Sequence, residues 1–204
     1  MDDAVLRRIG RRHKAEQTLE AAALVRQAGG LSLNMDLIAG LPGDTPAGFA
    51  DSLSKVLACG PENVTVHTLA VKRAARVGSV GETGTSAQTA QEMLAHAEKT
   101  LRDAGFHPYY LYRQSRSVGN LENVGYARAG HEGLYNICMM EELHTVLGCG
   151  AGAVTKLVRD ASHLTRVFNH KYPYEYISRF GELMERKSQV ATFYAEPDAQ
   201  NTAQ

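Results

Sequence analysis

The stretch Asn34-Met35-Asp36-Leu37-Ile38-Ala39-Gly40-Leu41-Pro42-Gly43-Asp44-Thr45-Pro46 constrains the fold more than any other part of the chain. In an extended strand, successive side chains leave opposite faces. Ser32, Asn34 and Asp36 therefore share one face, and Leu31, Leu33, Met35 and Leu37 share the other. The apolar face demands a cover, whereas the second face carries a charge. Gly40 and Gly43 supply the backbone freedom of a turn, and Thr45 followed by Pro46 is an N-cap with proline at the first helical position. The segment thus reads as a strand that passes through a glycine turn into a helix. Open N–H groups at the strand's carboxyl end suit a ligand.

Asp36, flanked by Met35 and Leu37, is expected to be buried in this strand. An ionised carboxylate there loses several kcal/mol of hydration unless a donor or a ligand compensates it. Two readings follow: a working residue that meets a ligand, or a structural aspartate satisfied by backbone N–H groups or an arginine.

Around this strand the pattern alternates. A short helical turn over 2–9 ends at Gly10, and helix 15–28 sets Ala21, Leu24, Val25 and Ala28 on one face. Strand 31–38, helix 46–58 with Phe49, Leu53, Val56 and Leu57 inward, and strand 63–70 come next. Helix, strand, helix, strand implies right-handed crossovers and a parallel sheet, either open or part of a barrel. A loop over 71–86 precedes helix 87–104, whose buried side is Ala90, Met93, Leu94, Ala97 and Leu101.

Beyond Gly105 the alternation changes. Phe106–Gln114, with Tyr109, Tyr110 and Tyr112, reads as a strand, 115–133 as a polar, glycine-rich connection, and 134–143 as ambiguous. Residues 145–158 read as strand, glycine turn, strand, and 164–168 as a further strand. Helix 173–187 is expected to bury Tyr176, Ile177, Phe180, Leu183 and Met184, and the last dozen or so residues are expected to fray. The expected regions are 1–105, 106–190 and a disordered tail over 191–204.

Charge narrows the partners. The 204 residues hold 22 Lys plus Arg against 22 Asp plus Glu, which argues against nucleic acid, whose binders carry a basic excess or stripe. No apolar run has the length of a membrane span, and Met1-Asp2-Asp3 opens no signal-peptide pattern, so a cytoplasmic location is expected. Cys59, Cys138 and Cys149 are odd in number, widely spaced and outside any CxxC or CxxxCxxC run, which fits simple buried thiols in a reducing compartment.

Other candidates are individually weaker. Gly148-Cys149-Gly150-Ala151-Gly152 is neither a Walker motif nor GxGxxG; it reads as a backbone passage beneath a ligand or as close strand packing. None of the eight histidines pairs at HxxxH or HxH spacing, although His67, in the strand beside that of Asp36, can face the same interior. Arg11 suits the carboxylate of an anion, or is a solvated helix-end arginine. Lys72, Arg73, Arg76, Arg113 and Arg116 either converge on a polyanionic small molecule or merely solubilise the chain.

Taken together, Asp3-x-Val5-Leu6-x-x-Ile9-Gly10-Arg11-x-His13 and Asn34 to Thr45 resemble the second half of the radical S-adenosylmethionine domain of oxygen-independent coproporphyrinogen III dehydrogenases. Val66-His67-Thr68-Leu69-Ala70-Val71-Lys72-Arg73, Tyr112-Arg113-Gln114 and Gly119-Asn120-Leu121-Glu122-Asn123-Val124-Gly125-Tyr126 resemble its HemZ-type branch. The resemblance spans about residues 2–188. It implies an α/β fold, the second half of a partial (β/α)6 barrel, followed by an α+β C-terminal region.

It further implies that Arg11 meets the carboxylate of S-adenosylmethionine, Asp36 its ribose or amino-acid part, and Ile38 and Ala70 its adenine. The substrate class would be a porphyrinogen, or haem in the family's chaperones, and a full-length member would need a reductase or other electron donor. The family's 4Fe-4S motif, CxxxCxxC, belongs to the first barrel loop and is absent here. The chain is therefore expected to be a C-terminal part that is inactive alone, or else a haem-binding chaperone or a decayed pseudo-enzyme.

Overall fold

The computed structural model describes residues 1–70, 84–160 and 163–195. By packing, the chain divides into two compact units, Met1–Asn136 and Ile137–Gln204. The packing division thus falls after Asn136, because the strands that follow Gly105 complete the first unit's sheet.

That sheet contains β1 (Asn34–Ala39), β2 (Asn63–Thr68), β3 (His107–Tyr112) and β4 (Asn123–Ala127) in the order β1-β2-β4-β3. The pair β1–β2 is parallel, from Asn34 opposite Asn63 to Ala39 opposite Thr68, and helix α3 (Pro46–Ala58) makes the crossover. β4 runs antiparallel to both β2 and β3, with an irregularity between Pro108 and Tyr110. The connection expected over 115–133 thus contains a strand.

The alternation in β1 sets the layers. Leu33, Met35, Leu37 and Ala39 are buried, and with Val64 and Val66 of β2 they pack in one core with Phe49, Leu53 and Val56 of α3 and Met93, Ala97 and Leu101 of α4 (Ala87–Asp103). Both helices begin as the sequence dictates. Thr45 Oγ1 accepts from Gly48 N at 3.0 Å, with Pro46 at the first helical position, and Ser86 Oγ accepts from Thr89 N at 3.1 Å. Gly40, at φ +90°, makes the turn that leaves β1.

Helices α1 (Asp3–Arg8) and α2 (Ala15–Ala28) precede the sheet. The face expected for α2 is not the one buried: Ala22 is buried and Val25 half-buried, while Leu24 is 63% exposed. Arg26 sets the rotation. One turn beyond Ala22 on the same side, it donates to Gly60 O, to Cys59 O at 3.5 Å and to Glu62 Oε1 at 2.8 Å.

Helix α5 (Leu134–Met140) spans the junction of the units. In the second unit, β5 (Val154–Asp160) and β6 (His163–Phe168) form an antiparallel pair, with Val146 bridging to Lys156. The strand expected before Gly148 is reduced to that bridge. The expected helix 173–187 is two helices, α6 (Pro173–Ser178) and α7 (Phe180–Ala195), separated at Arg179. Of the five residues expected inside, Leu183 alone is buried, and Ile177 is 74% exposed. The break rotates the two halves out of one helical register, so a single stripe cannot face one core. Residues 196–204, most of the expected tail, lie outside the described residues.

Candidate functional site

The face of the first unit's sheet opposite its core is polar. It holds Asn34 and Asp36 of β1, Thr65 and His67 of β2, and Tyr110 and Tyr112 of β3. Asp36 is not buried as expected: its side chain is 56% exposed, because α3 and α4 both cover the opposite face. Its carboxyl nonetheless stays below the usual aspartate range. A hydrogen bond from His67 is the main cause, partial burial opposes it, and the Asn34 amide adds to it at 2.8 Å.

Arg11, Asp36 and Ile38 line one cleft of about 590 Å³, bounded by α1, the residues after it, α2, β1 and α3. The loop that carries Arg11 leaves α1 through Gly10, at φ +76°, and Arg11 N returns to Leu6 O at 2.9 Å. Asp3 Oδ1 accepts from Ala15 N at 2.8 Å and ties α1 to the start of α2. The Arg11 side chain is exposed, and no described residue pairs with its guanidinium, so no ion pair joins it to Asp36. The cleft thus combines an ionised acceptor, a fork of donors and an apolar lining from Leu37, Ile38 and Val25. That set suits a zwitterionic molecule with an apolar part.

Ala70 stands apart. It lies past the end of β2, bridged to Ser117, and does not line the cleft. His67 shares the face of Asp36, although that face is not the interior the sequence suggested, with Nε2 3.5 Å from Asp36 Oδ2 and Nδ1 3.3 Å from the Tyr112 hydroxyl. Sequence reasoning missed Asn34, Thr65, Tyr110 and Tyr112 as parts of this network. The parity that grouped Asn34 with Asp36 was the available signal.

The remaining candidates resolve differently. Arg113 is paired with Glu122 at 2.8 Å, and Lys72, Arg73 and Arg76 lie outside the described residues. The N–H groups of the three glycines are already taken rather than free for a phosphate. Gly148 N donates to Thr155 Oγ1, Gly150 N to the Tyr176 hydroxyl and Gly152 N to His170 O. It is a close backbone passage. Cys59 and Cys138 are half-buried and Cys149 is exposed, rather than all three buried.

No protein-family model matches the chain. It is 41% identical over 189 residues to the oxygen-independent coproporphyrinogen-III oxidase-like protein HemZ of Bacillus subtilis, covering 91% of this chain and 38% of that one. The chain belongs to the HemZ-type, coproporphyrinogen oxidase-like family. A second relative of this HemZ-type chain, the haem chaperone HemW of Synechocystis, is 27% identical over 157 residues, 75% of this chain and 35% of the relative. The fold is that of a solved radical SAM enzyme, coproporphyrinogen III oxidase (HemN) of Escherichia coli. The match has a TM-score of 0.65 at 21% identity and covers 89% of this chain and 41% of that one. The α/β part is accordingly a portion of a partial barrel, with β1-α3-β2 as its parallel unit. The chain spans less than half the length of these relatives.

Two cofactors attach to the radical SAM family, and the HemZ-type chain fits them unequally. The cleft offers S-adenosylmethionine both charge complements and an apolar wall. An iron-sulfur cluster is not matched: among the described residues no three His, Cys, Asp or Glu side chains gather as ligands. Among them, too, no helix is long and apolar enough to cross a membrane.

Proposed function

We propose that the chain is the C-terminal part of a HemZ-type, oxygen-independent coproporphyrinogen III dehydrogenase, and that it contributes the S-adenosylmethionine-binding side of the barrel. The full-length protein would carry out the radical oxidative decarboxylation of two propionates to vinyls in haem biosynthesis. It would hold a 4Fe-4S cluster on residues outside this chain and draw on a reductase or other electron donor, in the cytoplasm.

The observation that carries this reading is the meeting of Arg11, Asp36 and Ile38 on one cleft. Arg11 would take the cofactor's carboxylate as a fork of donors. Asp36, ionised and oriented by Asn34 and His67, would accept from its ribose hydroxyls or ammonium. Ile38 would lie against the adenine, whereas Ala70, which the resemblance also assigns to the adenine, lies outside the cleft and would meet the cofactor only where it extends past the end of β2. The bound cofactor supplies the one-electron chemistry, whereas the residues here bind and orient it. A porphyrinogen is the substrate class that goes with this reading. With no set of cluster ligands among the described residues, the chain alone would not supply the electron that this chemistry needs.

The test is calorimetric titration of S-adenosylmethionine into the chain and into Asp36→Ala. Loss of a charge-assisted contact weakens binding about tenfold or more. Equal affinity in the two proteins overturns the assignment of Asp36. The similarity to HemW favours a second reading, a haem carrier. Haem titration decides it: a stoichiometric Soret shift supports the carrier, and its absence removes that reading.

A further inference from the structure

Two chains of hydroxyl and amide donors cross the polar face of the sheet, and both end on Asp36. Thr65 Oγ1 donates to Asn34 Oδ1 at 3.3 Å, and Asn34 Nδ2 donates to Asp36 Oδ1 at 2.8 Å. Thr65 has a single proton and gives it to Asn34, so the Tyr110 hydroxyl, 3.3 Å away, is the donor to Thr65. The second chain is shorter. The Tyr112 hydroxyl lies 3.3 Å from His67 Nδ1, and His67 Nε2 lies 3.5 Å from Asp36 Oδ2. Burial pushes both tyrosine hydroxyls upward, so each remains a protonated donor at neutral pH. A tyrosine that donates to Nδ1 leaves the imidazole proton on Nε2, aimed at the carboxylate.

We propose that His67 is a positioning residue. Held by Tyr112 in its Nε2–H tautomer, it clamps Asp36 Oδ2 so that the free lone pairs of the carboxylate face the cleft and the ligand's hydroxyl or ammonium donors. This rests on the reading of the cleft as the S-adenosylmethionine site. His67 touches Asp36 rather than the ligand, and Asn34 performs the matching task on Oδ1. With one donor on each oxygen, the carboxylate cannot turn freely, and a ligand meets an acceptor already oriented. His67 is itself confined: its side chain is 26% exposed, and its ring meets that of Tyr112 edge-on, with centroids 6.4 Å apart.

The first test needs no ligand. In the chain labelled with ¹⁵N-histidine, NMR at pH 8 is expected to show His67 protonated at Nε2 and unprotonated at Nδ1. Tyr112→Phe removes the donor and is expected to bring in the Nδ1–H form. In His67→Phe the Asp36 carboxyl is expected to titrate at higher pH than in the parent chain, with Asn34, Thr65, Tyr110 and Tyr112 still beside it.

The second test is calorimetry with S-adenosylmethionine. His67→Phe is expected to weaken binding about tenfold, and His67→Gln, which keeps a donor, to restore it to within about threefold. A dominant Nδ1–H tautomer in the parent chain, or an unchanged Asp36 titration in a folded His67→Phe, overturns the proposal. If the parent chain does not bind S-adenosylmethionine at all, the cofactor reading fails, and the tautomer and titration measurements still decide the role of His67.

Discussion

The ring of Tyr110 occupies the space where a side chain on Gly125 would stand. A Cβ built at Gly125 would lie 1.9 Å from Tyr110 Cε1 and 2.4 Å from Cδ1. Gly125 pairs with Tyr110 across β3–β4 and with Thr65 across β2–β4. The missing side chain therefore lets Tyr110 lie over β4 and reach Thr65, with the Tyr112 ring parallel to it at 6.4 Å. Gly125→Ala is expected to expel the Tyr110 ring and to destabilise the chain by about 1–3 kcal/mol. Urea unfolding measures the loss, and quenched or shifted tyrosine fluorescence reports the displaced ring. Tyr110→Ala in the same background is expected to recover part of the stability, because it removes the clash.

How much of this was legible in the sequence depended on whether a residue's neighbours were local. β1 was readable because its alternation matches the strand period and its cap lies in the next few residues. In α4, Ala90, Met93, Ala97 and Leu101 are buried as their spacing implied. In contrast, the face of α2 was misassigned because its alanines distinguish one side poorly and Arg26, reaching a turn more than thirty residues away, fixes the rotation. β4 was missed because Asn123 and Gly125 disfavour strands by propensity. Its place is conferred by Tyr110 and by Asn123 Oδ1, which accepts from Thr68 N at 2.6 Å. The site divided in the same way: Asp36 and His67 could be found by strand parity, whereas the tyrosines come from a strand forty-odd residues later.

Glu62, just before β2, ties α2 to the residue that precedes β1 and gives a pH-dependent contribution of known sign. Its Oε1 accepts from Arg26 at 2.8 Å and its Oε2 from Leu33 N at 2.7 Å. The Arg26 hydrogen bond chiefly lowers its pKa, from the ordinary 4.5 to about 2, against a partial desolvation. A depressed folded-state pKa contributes stability that is present above the unfolded value and lost as pH falls through the folded one. The contribution is therefore full above pH about 5 and is lost between pH 4.5 and 2. With Arg26 34% and Glu62 19% exposed, solvent screening holds it to about 1 kcal/mol. Glu62→Gln is expected to cost that much at pH 7 and progressively less below pH 4.5, as read from urea midpoints across the range. A cost independent of pH would contradict it.

Met93 does more than fill the core. It is fully buried, and its Sδ accepts from Gly40 N at 3.4 Å, where β1 turns toward α3. Leucine for methionine is normally tolerated in a core. Here Met93→Leu keeps the volume but leaves a buried N–H without an acceptor, at a cost of about 1–3 kcal/mol. Hydrogen exchange at Gly40 is expected to accelerate more than at core amides of β2, which separates the lost acceptor from a general loss of packing.

In the second unit, the glycine passage is held by donors from two directions. Lys187 Nζ, from α7, donates to Gly148 O at 2.9 Å and to Thr155 Oγ1. Asn169 Nδ2 donates to Gly148 O at 3.3 Å and to Gly150 O at 2.9 Å. These carbonyls turn inward, so the loop needs protein donors where a phosphate loop would offer its own N–H groups outward. Lys187→Met keeps most of the aliphatic stem and removes the charge-assisted bonds, at an expected cost of about 1.5–3 kcal/mol. Amide exchange at Gly150 and Gly152 is expected to accelerate in Lys187→Met and, to a smaller degree, in Asn169→Leu. If the passage were instead a phosphate site, inorganic phosphate would slow exchange at those amides in the parent chain. With Gly150 N and Gly152 N already committed to Tyr176 and His170, no such protection is expected.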